Sequence, residues 1–340
     1  MRRAARPAVR RPTLREVAKL AGITPATASY VLSGNSEVTI SPATKRRVLS
    51  AADKLGYTPH LAARSLATGR TRTIGICFGE EAVVPFADDY DREVLHGVLQ
   101  AAAEKSYALQ IIDAPGGQMP HHVDGWIAAQ TPVDFDLTRL RGAPVVFLDP
   151  HDEIRNHTCI WAENAAGGRL LAEQIAPRTS SVLIMLHEPL KHTARAYRER
   201  FEGFKKCWRQ LAPAKKIQTD VLHPDAPDSV CRRFLETWTQ PLRRKEVTHI
   251  ACLSDMQAAQ IVMLLRQTGL LVTRDFTISG FDNTLHSRLC LPTISTIDLH
   301  TVTLAKKAVG ELFKLMDLNQ TDVCLPAPTW MERQSTGTAC

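Results

Sequence analysis

The chain has 340 residues, a net charge of +7 and 44% hydrophobic residues, so it is long enough for two or three domains and more than one core. No apolar run approaches the roughly 20 residues of a membrane span, which excludes a helical membrane protein. The eight cysteines follow no CxxC or other metal-ligand spacing, which is typical of reduced, often buried thiols in a cytoplasmic protein.

Positive charge is concentrated at the N-terminal end. Residues 1–72 carry fourteen Lys and Arg against three acidic residues, a net charge of +11, so the other 268 residues sum to −4. This asymmetry is expected if the N-terminal end contacts a phosphate backbone. Residues 1–11 are rich in Arg, but no apolar segment follows them, so we expect a disordered basic arm rather than a secretory signal. A transit peptide is the alternative.

Two short helices are predicted directly after this arm. In PTLREVAKLAG (residues 12–22) the apolar residues recur at helical spacing, and Gly22 suits the end of the helix. In GITPATASYVLSG (residues 22–34), Thr24 can cap a second helix that begins at Pro25 and whose outer face is small and polar. Two short helices joined by a tight Gly-containing turn predict a helix-turn-helix, whose second helix can enter the major groove of DNA.

A third helix and a linker follow. SPATKRRVLSAADKLGY has Ser41 as a cap, Pro42 at the first helical position and an apolar stripe that closes a small bundle. Residues 58–72, TPHLAARSLATGRTR, combine a short Ala/Leu-rich piece with a basic tail, and we expect a linker that can become helical.

From Thr73 onward, apolar strand patterns alternate with amphipathic helical segments. The strand patterns are TIGICF, ALQIID, VDGWIA, APVVFLD, SVLIML, THIACLS and FTISGFD, and the helical segments are residues 94–105, 165–175, 196–211 and 256–268. The alternation predicts βαβ units with parallel sheets, in two lobes with a cleft between them.

The sequence offers no convincing catalytic or metal site. HEPLKH separates His187 from His192 by five residues with Glu188 and Pro189 between them, which does not fit a metalloprotease helix. His121 and His122 lie in a Pro/Gly-rich stretch that favours a solvated loop. Because no nucleophile–base pair, metal-ligand set or nucleotide-binding glycine loop is present, we expect neither an enzyme nor a bound cofactor or metal.

Over nearly its whole length the chain resembles the LacI/GalR family, the lactose-repressor and purine-repressor family of bacterial transcription regulators. The specific part is TLREVAKLAGITPATASYVLSG with VTISPATKRRVLSAADKLGYTPHLAARSLATG. Weaker support comes from APVVFLD, ENAAGGRLLAEQI, RERFEGF, LSDMQAA, ISGFDN and LPTISTI in the expected order.

The resemblance implies a small all-α helix-turn-helix domain followed by a two-lobed α/β core with parallel sheets, similar to periplasmic binding proteins. The expected segments are a basic disordered arm (1–11), a DNA-binding domain (12–57), a hinge helix and linker (58–72), and an effector-binding and dimerisation core (73–340).

Ten positions match DNA-contacting positions of the family. They are Thr24, Pro25, Ala26, Thr27, Ser29, Tyr30, Tyr57, His60, Ala63 and Leu66. Pro25 and Ala26 occupy the usual base-discriminating positions, and Leu66 matches a leucine that wedges into the minor groove and kinks the duplex. Tyr30 replaces the common Arg, so one guanine-reading guanidinium is absent, and Ala26 can make only apolar contacts.

Five positions match effector contacts in the cleft, namely Asp149, Trp161, Arg200, Ser254 and Asp282. The carboxylates can accept hydrogen bonds from sugar hydroxyls or base N–H groups, Arg200 can donate a fork, and Trp161 offers a stacking face. Each has a structural alternative, because an aspartate after a strand can cap a helix and a single Trp is often part of a core.

The first lobe departs from the family pattern. Between ALQIID and VDGWIA only about ten residues replace a full helix, and the segment after TIGICF is longer than usual. The effector class therefore does not carry over from the family.

The sequence predicts a sequence-specific DNA-binding transcriptional regulator, with repression the more typical sign. We expect a homodimer on a pseudo-palindromic operator, modulated by a small-molecule effector such as a sugar or related metabolite. We also expect a cytoplasmic, nucleoid-associated protein with no membrane partner. The alternatives are a regulator that has lost effector binding, a solute-binding protein of the uptake type and, third, an enzyme.

Overall fold

In this computed structural model we describe residues 12–33, 39–57, 65, 69–79, 89–112, 122–131, 135–140, 142–187, 195–224, 226–318 and 322–337. The chain divides into two compact units, Met1–Arg72 and Thr73–Cys340. Each unit has its own buried apolar cluster.

The first unit contains three described helices, α1 (Leu14–Ala21), α2 (Pro25–Ser33) and α3 (Pro42–Leu55). Thr13 and Glu16 form a capping box at the start of α1, and Gly22 ends it in the left-handed conformation with φ 65°. Ser41 caps α3 by accepting a hydrogen bond from the amide of Thr44. The predicted helical N-terminal region is thereby confirmed.

The first sheet of the second unit is entirely parallel, with strand order β2-β1-β3-β4-β5. Its strands are β1 (Thr73–Phe78), β2 (Ala108–Ile112), β3 (Gly125–Ala129), β4 (Val145–Leu148) and β5 (Thr158–Ile160). Helix α4 (Asp89–Glu104) and a 3₁₀ turn (Leu137–Leu140) lie between these strands in the chain.

The second sheet is also parallel, with order β7-β6-β8-β9. Its strands are β6 (Ser181–Leu186), β7 (Lys216–Val221), β8 (His249–Cys252) and β9 (Thr277–Ser279). The helices of this part are α5 (Asn164–Ile175), α6 (Arg195–Leu211), α7 (Asp228–Arg243), α8 (Asp255–Gln267), α9 (Leu285–Leu289) and α10 (Thr301–Leu315). Strands β10 (Thr296–Asp298) and β11 (Thr329–Met331) form a separate antiparallel pair.

The chain crosses between the two sheets more than once. Helix α10 follows the second sheet in sequence but packs on α4 and on β3 and β4 of the first. In each sheet the strand order reverses at the first strand, β1 in the first sheet and β6 in the second. Open α/β sheets bind their ligands at such a reversal, beside the carboxyl ends of the strands. The α/β core with parallel sheets is confirmed.

Several elements differ from the sequence prediction. Helix α4 begins at Asp89, five residues before the predicted segment, because Asp89, Tyr90 and Asp91 are all buried in its first turn. Strands β5 and β7 were missed because their residues are half-buried or exposed and form no continuous apolar run. The two departures in the first lobe are the long segment after β1 and the short segment between β2 and β3. Most of each, residues 80–88 and 113–121, lies outside the described residues.

Candidate functional site

The outer face of helix α2 is small, polar and exposed. The hydroxyl of Thr24 accepts a hydrogen bond from the amide of Thr27 at 3.2 Å, so the helix starts at Pro25 as its cap requires. Ala28 is fully buried against the core of the unit. On the other side Thr24, Pro25, Ala26 and Tyr30 are exposed, whereas Thr27 and Ser29 are half-buried.

Exposed cations flank this helix within the same unit. They are Arg15 and Lys19 on α1 and Lys45, Arg46 and Arg47 on α3. Tyr57 is half-buried and packs against the three-helix core. The other predicted DNA contacts, His60, Ala63 and Leu66, lie outside the described residues.

A separate cavity of about 150 Å³ lies within the second unit. Asp149 and Gln130 reach it from the carboxyl ends of β4 and β3, and Arg200 reaches it from α6. Asp282 and Trp161 complete this part of its wall. The cavity therefore combines carboxylates, a guanidinium and an aromatic ring in a space of small-molecule size.

Arg200 is buried and bound by the protein itself. Its Nη1 and Nη2 donate to the two oxygens of Asp282 at 2.9 and 2.7 Å, and its Nε donates to Oδ1 of Asn164 at 2.8 Å. Nη1 also donates to the carbonyl oxygen of Leu253 at 2.6 Å. Burial by itself would lower the pKa of Arg200, but the charge of Asp282 raises it. The guanidinium therefore stays charged.

Two glycines set the position of Arg200. A Cβ on Gly168 of α5 would lie 2.0 Å from the carbonyl oxygen of Arg200, and a Cβ on Gly203 of α6 would lie 2.2 Å from that of Ala165. Only glycine lets the two helix backbones approach so closely. This contact places Asn164 and Arg200 within hydrogen-bond distance of each other.

Asp149 occupies a strained position at the end of β4, with φ 45°. Its Oδ1 accepts from the amide of Ala162 at 2.8 Å, and its Oδ2 accepts from the hydroxyl of Tyr90. Burial raises the pKa of Asp149, and burial together with the charge of Asp149 raises the pKa of the Tyr90 phenol. Tyr90 thus remains a neutral donor.

The Trp161 ring is covered on one face. The guanidinium of Arg195 lies over it, 4.4 Å from the ring centroid, and Arg195 also pairs with Glu199 at 2.6 Å. The indole Nε1 is buried, and no partner for it lies in the described part of the chain. Since its N–H is unused, Trp161 can serve a ligand as a donor as well as a surface.

Comparisons with known proteins identify both parts of the chain. Residues 13–60 match the family model described as bacterial regulatory proteins, lacI family, and residues 179–336 match the periplasmic binding protein-like domain. Together the two matches span more than half of the chain. The chain thus combines a lacI-family DNA-binding region with a periplasmic binding protein-like domain.

Named relatives agree with this assignment. The regulator is 27% identical to the HTH-type transcriptional repressor PurR of Photobacterium profundum, over 89% of this chain and 91% of the relative. It is 25% identical to the HTH-type transcriptional regulator CelR of Thermobifida fusca, over 86% and 88%.

A crystal structure of the lac repressor dimer bound to operator and the anti-inducer ONPF has the same fold. It matches with a TM-score of 0.73 at 20% identity, over 96% of this chain and 99% of that one. This likeness shows the fold, and the lacI-family match with the two named relatives identifies the chain as a DNA-binding transcriptional regulator.

Four of the five predicted effector residues, Asp149, Trp161, Arg200 and Asp282, line the cavity of this regulator, and Ser254 does not. The Ser254 hydroxyl caps α8 by accepting from the amide of Gln257 at 3.3 Å, and it bonds Nε2 of His187 at 2.9 Å. Burial lowers the pKa of His187 to about 3, so this histidine is neutral.

Sequence reasoning missed nine residues of the cavity wall in the regulator, among them Tyr90, Asn164 and Arg195. Tyr90 follows the unusually long segment after β1, and Asn164 lies in ENAAGGRLLAEQI, so only the family fragments pointed toward them.

Within the described residues no helix is long and apolar enough to cross a membrane. The same residues contain no group of three or more His, Cys, Asp or Glu that could hold a metal. Glu188 and His192 lie outside those residues.

Proposed function

We propose that this regulator binds a pseudo-palindromic operator as a homodimer, represses transcription, and changes its operator affinity when a small neutral ligand occupies the cavity. The observation that carries the proposal is the exposed outer face of α2, formed by Thr24, Pro25, Ala26 and Tyr30, in a unit with a net charge of +11. We infer a protein of the cytoplasm and nucleoid that catalyses no reaction.

The chemistry of the first unit supports base reading by few groups. Ala26 can contact a thymine methyl, and the Tyr30 hydroxyl can donate or accept one hydrogen bond. The exposed cations of α1 and α3 suit phosphates, which position the helix without reading sequence. Affinity then depends strongly on salt, and specificity depends on α2.

The chemistry of the cavity supports a neutral, hydroxyl-rich ligand of about monosaccharide size. Asp149 and Asp282 present carboxylate oxygens that accept from hydroxyl groups, and the Trp161 indole supplies a donor. Among the described lining residues, Arg200 is paired with Asp282 and Arg195 with Glu199, so neither guanidinium is an isolated cation for a phosphate or carboxylate ligand. The volume of about 150 Å³ disfavours larger ligands.

An apolar surface supports self-association. Leu285, Leu289 and Leu291 with Met263 line a groove of about 460 Å³, and Leu289 and Leu291 are 71% and 73% exposed. Such exposed leucines mark interaction surfaces. A second copy is the occupant we propose, because a symmetric operator requires two reading helices about one helical turn of DNA apart.

Ligand and operator are then linked through one equilibrium. A ligand that binds one arrangement of the core better than another shifts the population toward it, and operator affinity changes by the same coupling free energy.

The DNA part is tested by selecting fragmented genomic DNA on the purified protein near physiological salt and sequencing what is retained. We expect enrichment of a two-fold symmetric site. Tyr30→Ala should reduce that enrichment, whereas Lys205→Ala, a surface change on α6 in the other unit, should leave it intact. Retention of DNA without any enriched site would refute sequence-specific reading.

The ligand part is tested by thermal unfolding with D-glucose, D-galactose, D-ribose, hypoxanthine and glucose 6-phosphate. We expect one neutral compound to raise the melting temperature and the phosphate ester not to. Trp161→Phe keeps the ring and removes the N–H, and it should weaken binding of that compound about tenfold. If no compound raises the melting temperature of the protein, the result favours a regulator that has lost effector binding.

A further inference from the structure

Helix α4 begins with an acidic residue, Asp89, and an aromatic residue, Tyr90, whose side chains reach two different places. The hydroxyl of Tyr90 donates a hydrogen bond to Asp149 in the cavity wall. Its neighbour Asp89 lines the apolar groove instead, together with His286 of α9. One turn of helix therefore connects the cavity to the groove.

Asp89 and His286 are bonded to each other. Nδ1 of His286 donates to Oδ2 of Asp89 at 2.5 Å, and the amide of His286 lies 3.4 Å from the same oxygen. The Asp89 side chain is 2% exposed, and that of His286 is 39% exposed. Arg92, one turn along α4, pairs with the other oxygen of Asp89.

This bond joins parts of the core that belong to different sheets. Helix α4 packs on β2 and on α10, which covers the first sheet, whereas α9 packs on α8, which contacts β8 and β9 of the second sheet. Asp89 and His286 are 197 positions apart in the chain. The pair therefore holds the start of α4 to the second half of the core.

The His286 side of the bond is rigidly held. Asp282 is paired with Arg200, Asn283 donates to Asp298 at 2.9 Å, and the amide of Thr284 donates to Asp255 at 2.6 Å. Asp282 and Asn283 are both in the left-handed region, with φ 94° and 53°. Because three successive residues just before it are anchored, His286 offers α4 a fixed point of attachment.

We propose that Asp89 and His286 form a clasp that positions the Tyr90 hydroxyl against Asp149 and so sets the shape of the cavity wall. The inference rests on the proposed ligand-binding role of the cavity, but the clasp itself is a property of the unliganded core. Asp89 and His286 are positioning residues, and neither needs to touch the ligand.

The charge state of Asp89 agrees with this role. Burial alone would raise its pKa, but the hydrogen bond and charge of His286, with further help from Arg92, hold the pKa of Asp89 below its usual range. The carboxylate is therefore ionised at neutral pH and makes a charge-assisted bond.

The experiment reads the environment of Tyr90 without ligand or DNA. The full chain is labelled with 3-fluorotyrosine, and the fluorine resonance of position 90 is identified by its loss in Tyr90→Phe. In the parent protein this phenol should stay protonated at pH values where free 3-fluorotyrosine has ionised, because burial and the charge of Asp149 raise its pKa. In Asp89→Asn and in His286→Ala the Tyr90 phenol should ionise at a lower pH than in the parent, because its contact with Asp149 loosens.

Two further variants separate positioning from general loosening. His286→Asn keeps a donor near the place of Nδ1 and should restore the titration of the parent. Arg92→Ala removes the partner of Asp89 within α4 and should leave Tyr90 unchanged. If Arg92→Ala had the same effect as His286→Ala, or if neither clasp variant altered Tyr90, the proposal would be overturned.

Folding and function are kept apart in this design. His286 is partly exposed, so His286→Ala tests the clasp even if Asp89→Asn fails to fold, and circular dichroism checks each variant. Because no ligand or operator is added, a negative result refutes the clasp alone. Failure of the ligand screen or of the DNA selection refutes the proposed function alone.

Discussion

Replacing Asp255 by Asn should make the core more stable at alkaline pH. Asp255 begins α8 and is fully buried, and its Oδ2 accepts from the amide of Thr284 at 2.6 Å. Its Oδ1 has no hydrogen-bond partner among the described residues and lies against Gly280, where a Cβ would be 2.1 Å away. A buried carboxylate with one unsatisfied oxygen favours its neutral form.

The magnitude follows from the pKa. Burial raises the pKa of Asp255 from 3.8 to about 7 in the folded protein. Between about pH 4 and pH 7 the folded state therefore holds a proton that the unfolded chain has released, so stability falls as pH rises. The loss is about 1.4 kcal/mol for each pH unit, or about 4 kcal/mol over the whole range. Asn resembles the protonated acid and avoids this loss.

The assay is urea unfolding of both full-length proteins at several pH values between 5.0 and 8.5, followed by circular dichroism. The difference in unfolding free energy between the Asn variant and the parent should grow by about 3 kcal/mol over this range. Asp228→Asn is the matched control, because Asp228 also begins a helix but is exposed. A difference that does not change with pH would refute the reasoning.

Four other changes have defined outcomes. Gly168→Ala should destabilise the core by about 1–3 kcal/mol in thermal unfolding, because the backbone overlap with Arg200 outweighs the gain of about 1 kcal/mol in helix propensity; an unchanged melting temperature would contradict the close helix contact. Arg200→Ala should cost about 3–5 kcal/mol by leaving Asp282 buried without its partner, and should abolish any ligand-induced shift. A retained shift would place ligand binding elsewhere. Gly22→Ala should cost about 1 kcal/mol through its φ of 65°, with no tight contact involved. From the family resemblance, Leu66→Ala should weaken specific more than non-specific DNA binding in a titration, and equal losses would contradict the wedge.

Short-range signals predicted much of this fold. Gly22, Thr24 and Ser41 act on residues within a turn of themselves, so these helix ends of the first unit could be predicted from spacing alone. The central strands have continuous apolar runs because both faces are covered, and they were predicted for the same local reason. The edge strands β5 and β7 were missed because their half-buried or exposed residues form no such run, whereas the edge strands β2 and β9 were predicted.

The amino-acid sequence by itself determined the helix-turn-helix, the parallel core and, through family fragments, four residues of the cavity wall. Only the tertiary structure decided how that cavity is built. Tyr90 meets Asp149 across 59 positions, Arg200 meets Asp282 across 82, and His286 meets Asp89 across 197. It also placed Ser254 in a helix cap and Arg195 over Trp161. Such pairs depend on which strands and helices become neighbours, and no local pattern of residues records that.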